Sequence, residues 1–143
     1  MNETDPALLR NAAATAQLRA LVARLDAADI GRSVGGDWTV GLALAHLAFW
    51  DVRQDVALQR FGAGDEFPSE DVTTNATLAA IAPLFRSEAV GEIAVSAAER
   101  LDATLQGLTA EQRDSLREAG LGYAIDRWQH REEHLAQIDA VLA

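Results

Sequence analysis

Apolar residues recur every three to four positions along most of the chain, which is the spacing of amphipathic helices. β-branched residues are few and do not alternate with polar ones, so the pattern predicts an all-α protein. Four long helices are predicted, with a shorter helix before the last one. They run from Pro6 to near Asp29, from about Val40 to Phe61, from Thr74 or Asn75 to Gly107, from about Thr109 to Ala119, and from Tyr123 to about Leu142.

Capping and breaking residues support these helix limits. Asp5 and Thr39 are suitable N-caps, and Gly35-Gly36-Asp37 predicts a turn. Pro83 lies inside the third apolar pattern and predicts a kink or a split, with Gly91 as a second weak point. Long amphipathic helices with short connections and one longer crossover are typical of a four-helix bundle. We therefore expect a single bundle domain over residues 1–143.

Composition narrows the possible partners. The chain carries a formal net charge of −10, which repels nucleic-acid phosphate and anionic lipid, so neither partner is expected. It contains no cysteine, so any thiol chemistry needs a thiol supplied from outside. The polar N-terminus has no leader pattern, and no stretch is apolar enough to span a membrane. These features predict a cytoplasmic protein.

The three histidines are the strongest chemical signal. His130 and His134 are four residues apart on the last predicted helix, which places them on one face, one turn apart. His46 lies in the most apolar stretch, opposite the wetter helix face that carries Asp51 and Asp55. Each feature alone has an ordinary explanation, as a core histidine or as a surface coincidence. Together, on helices that can be neighbours in a bundle, they favour one shared metal site.

Three imidazoles suit zinc, nickel, iron or copper, and three protein ligands leave a coordination position open, as in catalytic sites. The H-E-x-x-H peptidase pattern fails because Arg131 takes the glutamate position. The H-x-x-E-H pattern is met by His130, Glu133 and His134. Glu133 is therefore a weak candidate for a general base, with a solvated helix charge as the alternative.

Substrate-binding candidates are fewer. Arg53 is two helical turns beyond His46 on nearly the same face and could hold a substrate carboxylate. The alternative is that Arg53 reaches solvent or pairs with an internal acid such as Asp126. Trp50 and Tyr123 are further candidates for the lining of a substrate pocket, and ordinary core packing is the alternative for the aromatic residues.

Several short motifs resemble one family. Trp38-Thr39, His46 within AHLAFWD, and the final WQHREEHLAQIDAVL resemble the DinB-like superfamily, which includes YfiT-like metal hydrolases and the N-terminal domain of mycothiol-dependent maleylpyruvate isomerase. The resemblance covers essentially the whole chain. It implies a four-helix bundle, a metal held by His46, His130 and His134, and a homodimer. It also implies a role for a low-molecular-weight thiol such as mycothiol or bacillithiol.

Three functional hypotheses follow. The first is an enzyme whose divalent metal, zinc or nickel, activates an exogenous thiol or water against a small organic substrate, as a thiol transferase or a hydrolase. The second is a non-catalytic metal-binding protein with a stress-response or interaction role. The third is a helical bundle that binds protein partners and no metal.

Overall fold

The computed structural model describes residues 4–69 and 74–142, and this part of the chain is mostly helical. Four helices are long, and the rest are short connecting elements. In chain order the elements are α1 Pro6–Ala23, α2 Ala27–Ile30, β1 Ser33–Gly35, β2 Trp38–Thr39, α3 Val40–Gly62, α4 Thr74–Ile81, α5 Ser87–Gly107, α6 Ala110–Glu118 and α7 Arg127–Leu142, with 3-10 turns at Ala82–Leu84 and Gly122–Ala124. The predicted all-α class is confirmed.

Local chemistry explains where the helices begin. Asp5 accepts a hydrogen bond of 3.0 Å from the backbone N–H of Ala7, and Pro6 takes the first position of α1. Thr39 accepts one of 3.1 Å from the N–H of Leu42 at the start of α3. Each cap satisfies a backbone donor that the first helical turn leaves without a partner.

The four long helices pack in a ring, in which each has its main contacts with two others: α1 with α5 and α7, and α3 with α5 and α7. Helices α1 and α7 are parallel, because Asn11 meets the start of α7 and Arg24 meets Asp139 near its end. Helices α1 and α5 are antiparallel, because Thr15 contacts Asp102 while Val22 contacts Gly91. Helix α3 runs antiparallel to α7, with His46 close to His134 and Asp51 close to Arg127, and is therefore parallel to α5.

The interior divides into two apolar clusters with a polar layer between them. One cluster includes Leu18, Leu44 and Ile138, and the other includes Leu58 and Leu101. On α1 and α3, a group of buried polar residues separates the members of the two clusters: Asn11 and Thr15 on α1, and Asp51, Gln54 and Asp55 on α3. Arg127 and Arg131 of α7 and the half-buried Asp102 of α5 join this layer, whereas the buried His46 and His134 lie beside the first cluster.

Several predicted boundaries need correction. The first helix ends at Ala23 instead of fading near Asp29, because Asp26 and Asp29 form a capping box that starts the separate helix α2. The last helix begins at Arg127, since the segment from Gly122 forms a 3-10 turn first. The predicted split at Pro83 is confirmed.

The wet face predicted for α3 is wrong. Asp51 and Asp55 are 0% and 1% exposed. Both carboxylates are buried because neighbouring helices supply donors: Arg127 and Arg131 reach Asp51, and Thr104 hydrogen-bonds Asp55. Helix α3 is thus covered by α5 and α7, and Asp51 and Asp55 face these helices instead of solvent.

The turn predicted at Gly35-Gly36-Asp37 is present. Gly36 and Asp37 connect the antiparallel strands β1 and β2, and Gly35, the last residue of β1, and Gly36 have positive φ angles. Within the described residues, no helix combines the length and the apolar character that crossing a bilayer requires.

Candidate metal centre

The structure brings together the three histidines, which come from α3 and α7. Their candidate ligand nitrogens all lie within 4.8 Å of one another. His46 and His134 are buried, and His130 is half-buried. The ring centroids are 4.8 to 4.9 Å apart in every pair. The group could therefore hold one metal ion.

His46 and His130 form the closest pair, with their Nε2 atoms 3.0 Å apart. Two imidazole nitrogens bound to one tetrahedral metal at about 2.0–2.1 Å would be about 3.3 Å apart. The observed separation therefore needs an opening of only a few tenths of an ångström. A metal between the two rings would replace the hydrogen bond that now joins them.

His134 is oriented by two neighbours. Its Nδ1 lies 2.9 Å from Oε1 of Gln137, and because a carbonyl oxygen only accepts, this nitrogen carries the ring hydrogen. The Nε2 lone pair is therefore available to a metal, and the Gln137 contact is the outer-shell support typical of metal-bound histidines. The indole of Trp38 stacks on the His134 ring, with centroids 5.7 Å apart and planes 6° from parallel. Trp38 also meets His46 edge-on.

His130 is oriented differently, by a cation. Nη2 of Arg127 is 3.2 Å from His130 Nδ1, and because a guanidinium only donates, this nitrogen accepts. Arg127 is in turn held by Asp51, whose Oδ1 is 3.1 Å from its Nε, and by the carbonyl of Tyr123. His130 thus lies at the end of a chain that runs from carboxylate to guanidinium to imidazole.

Burial keeps two of the imidazoles neutral. It lowers the pKa of His46 to about 4, with electrostatic contributions from the neighbouring His134 and Arg127 as the smaller causes. It also lowers the pKa of His130 to about 2, with Arg127 as the next largest cause. Neutral imidazole is the form that binds metals, so neither ring has a charge to lose at neutral pH. Because His130 Nδ1 accepts from Arg127, the hydrogen of this ring lies on Nε2, and a metal could bind there only after that hydrogen leaves.

The donor set fits a divalent metal of borderline softness. Three neutral imidazoles suit zinc or nickel, and no carboxylate of the described residues joins the group. The orientation of His134 and the spacing of His46 and His130 agree with a common metal. The Arg127 contact at His130 Nδ1 is the unusual part, because metal-bound histidines ordinarily donate from that nitrogen to an acceptor.

An open cavity of about 760 Å³ lies beside the histidines. His46 and His130 form part of its wall, and Trp50 and Tyr123 line it as well. The indole N–H of Trp50 donates to Oδ1 of Asn75 at 2.8 Å, which fixes the ring at the wall. This volume is in the range of small-molecule sites, so a ligand could approach the two imidazoles from the cavity.

The other predicted site residues lie elsewhere. Arg53 is not part of the described lining of this cavity: its guanidinium donates to the carbonyls of Pro68 and Ser69, at 2.9 and 2.8 Å, and does not pair with Asp126. Glu133 is exposed on α7, on the solvent side of the helix. Its position agrees with the solvated-charge alternative.

Sequence reasoning missed the charged residues behind the histidines. The helix pattern predicts Asp51 on a solvent-facing side, and in the sequence Arg131 stands out only as a break in a peptidase motif. The available signal was the spacing of Arg127 and Arg131, which are four apart and offset from His130 and His134 by three residues. Two arginines and two histidines that alternate in this way lie on adjoining strips of one helix.

No protein-family model matches the chain, and no curated protein or solved structure matches it.

Proposed function

We propose that the protein is a metal-dependent enzyme in which His46, His130 and His134 hold one divalent ion, zinc or nickel. The single observation that carries this proposal is the convergence of the three imidazoles, with ligand nitrogens within 4.8 Å. The proposed reaction activates an exogenous low-molecular-weight thiol, such as mycothiol or bacillithiol, or a water molecule, against a small organic substrate. The absence of cysteine agrees with an external thiol.

The surrounding residues have distinct tasks in this proposal. Gln137 fixes the ring hydrogen of His134 on Nδ1, and Trp38 covers one face of that ring and keeps water from it. Asp51 holds Arg127, which holds His130. A bound divalent metal would supply a Lewis acid that lowers the pKa of a coordinated thiol or water.

The cavity beside His46 and His130 defines where a substrate would bind. Three protein ligands leave at least one coordination position, and the two imidazoles that line the cavity place it on that side. Trp50 and Tyr123 line the cavity and would then contact the substrate, as the sequence suggested. Arg53 would only hold the backbone carbonyls of Pro68 and Ser69, two other residues of the cavity wall.

We also propose that the chain is a DinB-like four-helix bundle that forms a homodimer. The support for the bundle is the ring of four long helices and the origin of the histidines, one from α3 and two from α7, as the sequence resemblance implies. The homodimer rests on the sequence resemblance alone.

Metal analysis tests the first step. The chain is purified without chelator, loaded with zinc or nickel, dialysed, and measured by elemental analysis. We expect about one metal per chain in the wild type, a loss of nearly all metal in His134→Ala, and no loss in the matched control Glu133→Ala, whose side chain is exposed. Absence of stoichiometric metal from the folded wild type would refute the proposal.

Turnover tests the second step. The metal-loaded protein is incubated with a chromogenic aryl halide or ester, with mycothiol, bacillithiol or no thiol. Product formed by the wild type and not by His134→Ala supports the enzyme proposal, and dependence on a thiol selects transfer over hydrolysis. Stoichiometric metal without turnover under any condition supports the non-catalytic metal-binding alternative instead.

A further inference from the structure

A second concave surface runs along the outer side of α3, away from the histidines. We define the α3–α5 groove by Phe49, Val52 and Val56 on α3, with Phe85 and Ile93 on the opposite wall. Its volume is about 510 Å³. Val52, Val56, Phe85 and Ile93 are all among the exposed large apolar residues of the molecule, at 37 to 46% exposure.

Small side chains contribute to the lining of the groove. Ala45, Ala48 and Ala57 of α3 are part of it, and all three are buried. Larger side chains at these positions would fill the space between α3 and the opposite wall. The α3 residues that line it extend from Ala45 to Arg60, which is about 22 Å along the helix axis.

The polar groups at the groove are cationic. Apart from apolar side chains, the described residues that line it are Arg53 and Arg60, seven positions apart on α3 and therefore about 10 Å apart along its axis. Two arginines beside an apolar surface contrast with a chain whose net charge is −10. This combination is complementary to a ligand with an apolar body and an anionic end.

Charge at the groove argues for an anionic ligand. Arg60 is exposed and lies at one end of the α3 lining, and the rest of the wall is mostly apolar. An unbranched aliphatic chain is narrow and flexible enough to follow this apolar wall. We propose that the α3–α5 groove binds a free long-chain carboxylate, with its hydrocarbon chain along Val52 and Val56 and its carboxylate at Arg60.

This site is independent of the metal centre. The two described linings share Pro68, and His46, His130 and His134 do not line the groove. Occupation of the groove therefore needs no metal, and the test can separate the two sites.

Decanoate below its micelle concentration is the probe, measured by titration calorimetry on the full chain. We expect saturable binding to the wild type and at least a tenfold loss in Val56→Asp. The side chain of Val56 is 46% exposed, so this variant is expected to fold. Leu9→Asp is the matched control, because Leu9 is an exposed apolar residue on α1, at 59%, and lies outside the groove. It should bind decanoate as the wild type does.

A charge test completes the design. Arg60→Gln is expected to weaken decanoate binding at least threefold and to leave decanol binding unchanged, because only the carboxylate uses the guanidinium. Four results would overturn the proposal: no decanoate binding by the wild type, an equal loss in Leu9→Asp, a loss in His134→Ala that Val56→Asp does not share, or a dimer in sedimentation that Val56→Asp dissociates. The third result would place the carboxylate on the metal, and the fourth would assign the groove to a second copy of the chain.

Discussion

Asp51 and Arg131 form a salt bridge that is completely closed to solvent. Arg131 Nε is 3.1 Å from Asp51 Oδ2, and both side chains are 0% exposed. The same guanidinium donates to Asp102 Oδ1 at 2.8 Å and to the carbonyls of Asn11 and Ala98. This single side chain therefore ties α7 to the other three long helices, at the level between the two apolar clusters.

Removal of Arg131 should be costly. Arg131→Met leaves the carboxylate of Asp51 buried with one cation fewer, and deprives Asp102 of a partner as well. Breaking a buried pair in this way costs about 3–5 kcal/mol in the free energy of unfolding. Urea unfolding followed by tryptophan fluorescence measures the loss.

The matched control for this loss is Arg24→Met. Arg24 pairs with Asp139 at 2.7 Å, but both side chains are more than half exposed. Exposed pairs contribute about 0–1 kcal/mol, so this variant should unfold almost as the wild type does. Similar losses in Arg131→Met and Arg24→Met would contradict the structural role given to the buried layer.

The carboxylate of Asp5 predicts a dependence of stability on pH. Burial raises the pKa of Asp5, but the hydrogen bond from Arg117, the N–H of Ala7 and the charges of Arg117 and Arg113 outweigh it. The folded-state pKa therefore lies below the ordinary value of 3.8. This stabilisation is fully present above about pH 5 and is lost as pH falls through 3.8 towards the folded-state value, because the unfolded chain takes up the proton first.

Asp5→Asn tests this dependence. The amide can still cap α1 but carries no charge, so the variant should be less stable than the wild type at pH 7, and the difference should shrink below pH 3.8. Urea unfolding at pH 7, 5, 4 and 3 measures the two free energies. Asp37→Asn, in the exposed hairpin turn, is the control and should differ little from the wild type. A difference for Asp5→Asn that stays constant over this range would contradict the prediction.

Replacement of Gly91 by alanine should overpack the contact between α1 and α5. A β-carbon on Gly91 would lie 2.7 Å from Cγ1 of Val22, and valine has little rotamer freedom to move away. Alanine is favoured over glycine by about 1 kcal/mol in a helix, but the clash between α1 and α5 should outweigh this gain. We expect Gly91→Ala to destabilise the fold by about 1–3 kcal/mol, measured by thermal unfolding.

Gly107→Ala is the comparison for this substitution. Gly107 is the last residue of α5, and no heavy atom that would contact a β-carbon lies within 4 Å of its position. This variant should be neutral or slightly stabilising. If Gly91→Ala also leaves the stability unchanged, the prediction that α1 and α5 pack too closely for a β-carbon at position 91 is wrong.

These positions show why the sequence predicted the helices better than their contacts. The apolar period and the caps Asp5 and Thr39 are local signals, and they located the starts of α1 and α3 correctly. Gly91 looked like a weak point because sequence alone does not tell a helix breaker from a close helix contact. Inside α5, the glycine is required by Val22 on another helix.

In the candidate site, too, local signals were easier to predict than contacts between helices. The spacing of His130 and His134 is a local helical signal, and the apolar surroundings of His46 pointed it inward, so the group of three histidines could be anticipated. Asp51 could not be, because its burial depends on Arg127 and Arg131, which lie 76 and 80 positions further along the chain. An acid that is paired across helices looks in sequence like an acid that faces water.

Gln137 gives the sharpest test of how the histidines are prepared for a metal. Its Oε1 accepts from His134 Nδ1 at 2.9 Å, which leaves Nε2 free to ligate. Without this contact the ring can turn or carry its hydrogen on Nε2, so Gln137→Ala should bind zinc about 10–100-fold more weakly than the wild type. Gln129→Ala, an exposed glutamine on the same helix, should bind zinc normally. Competition with a chromogenic chelator measures the three affinities, and circular dichroism verifies that each variant is folded. Equal zinc affinity in the wild type and Gln137→Ala would mean that the orientation of His134 comes from its stacking on Trp38 alone.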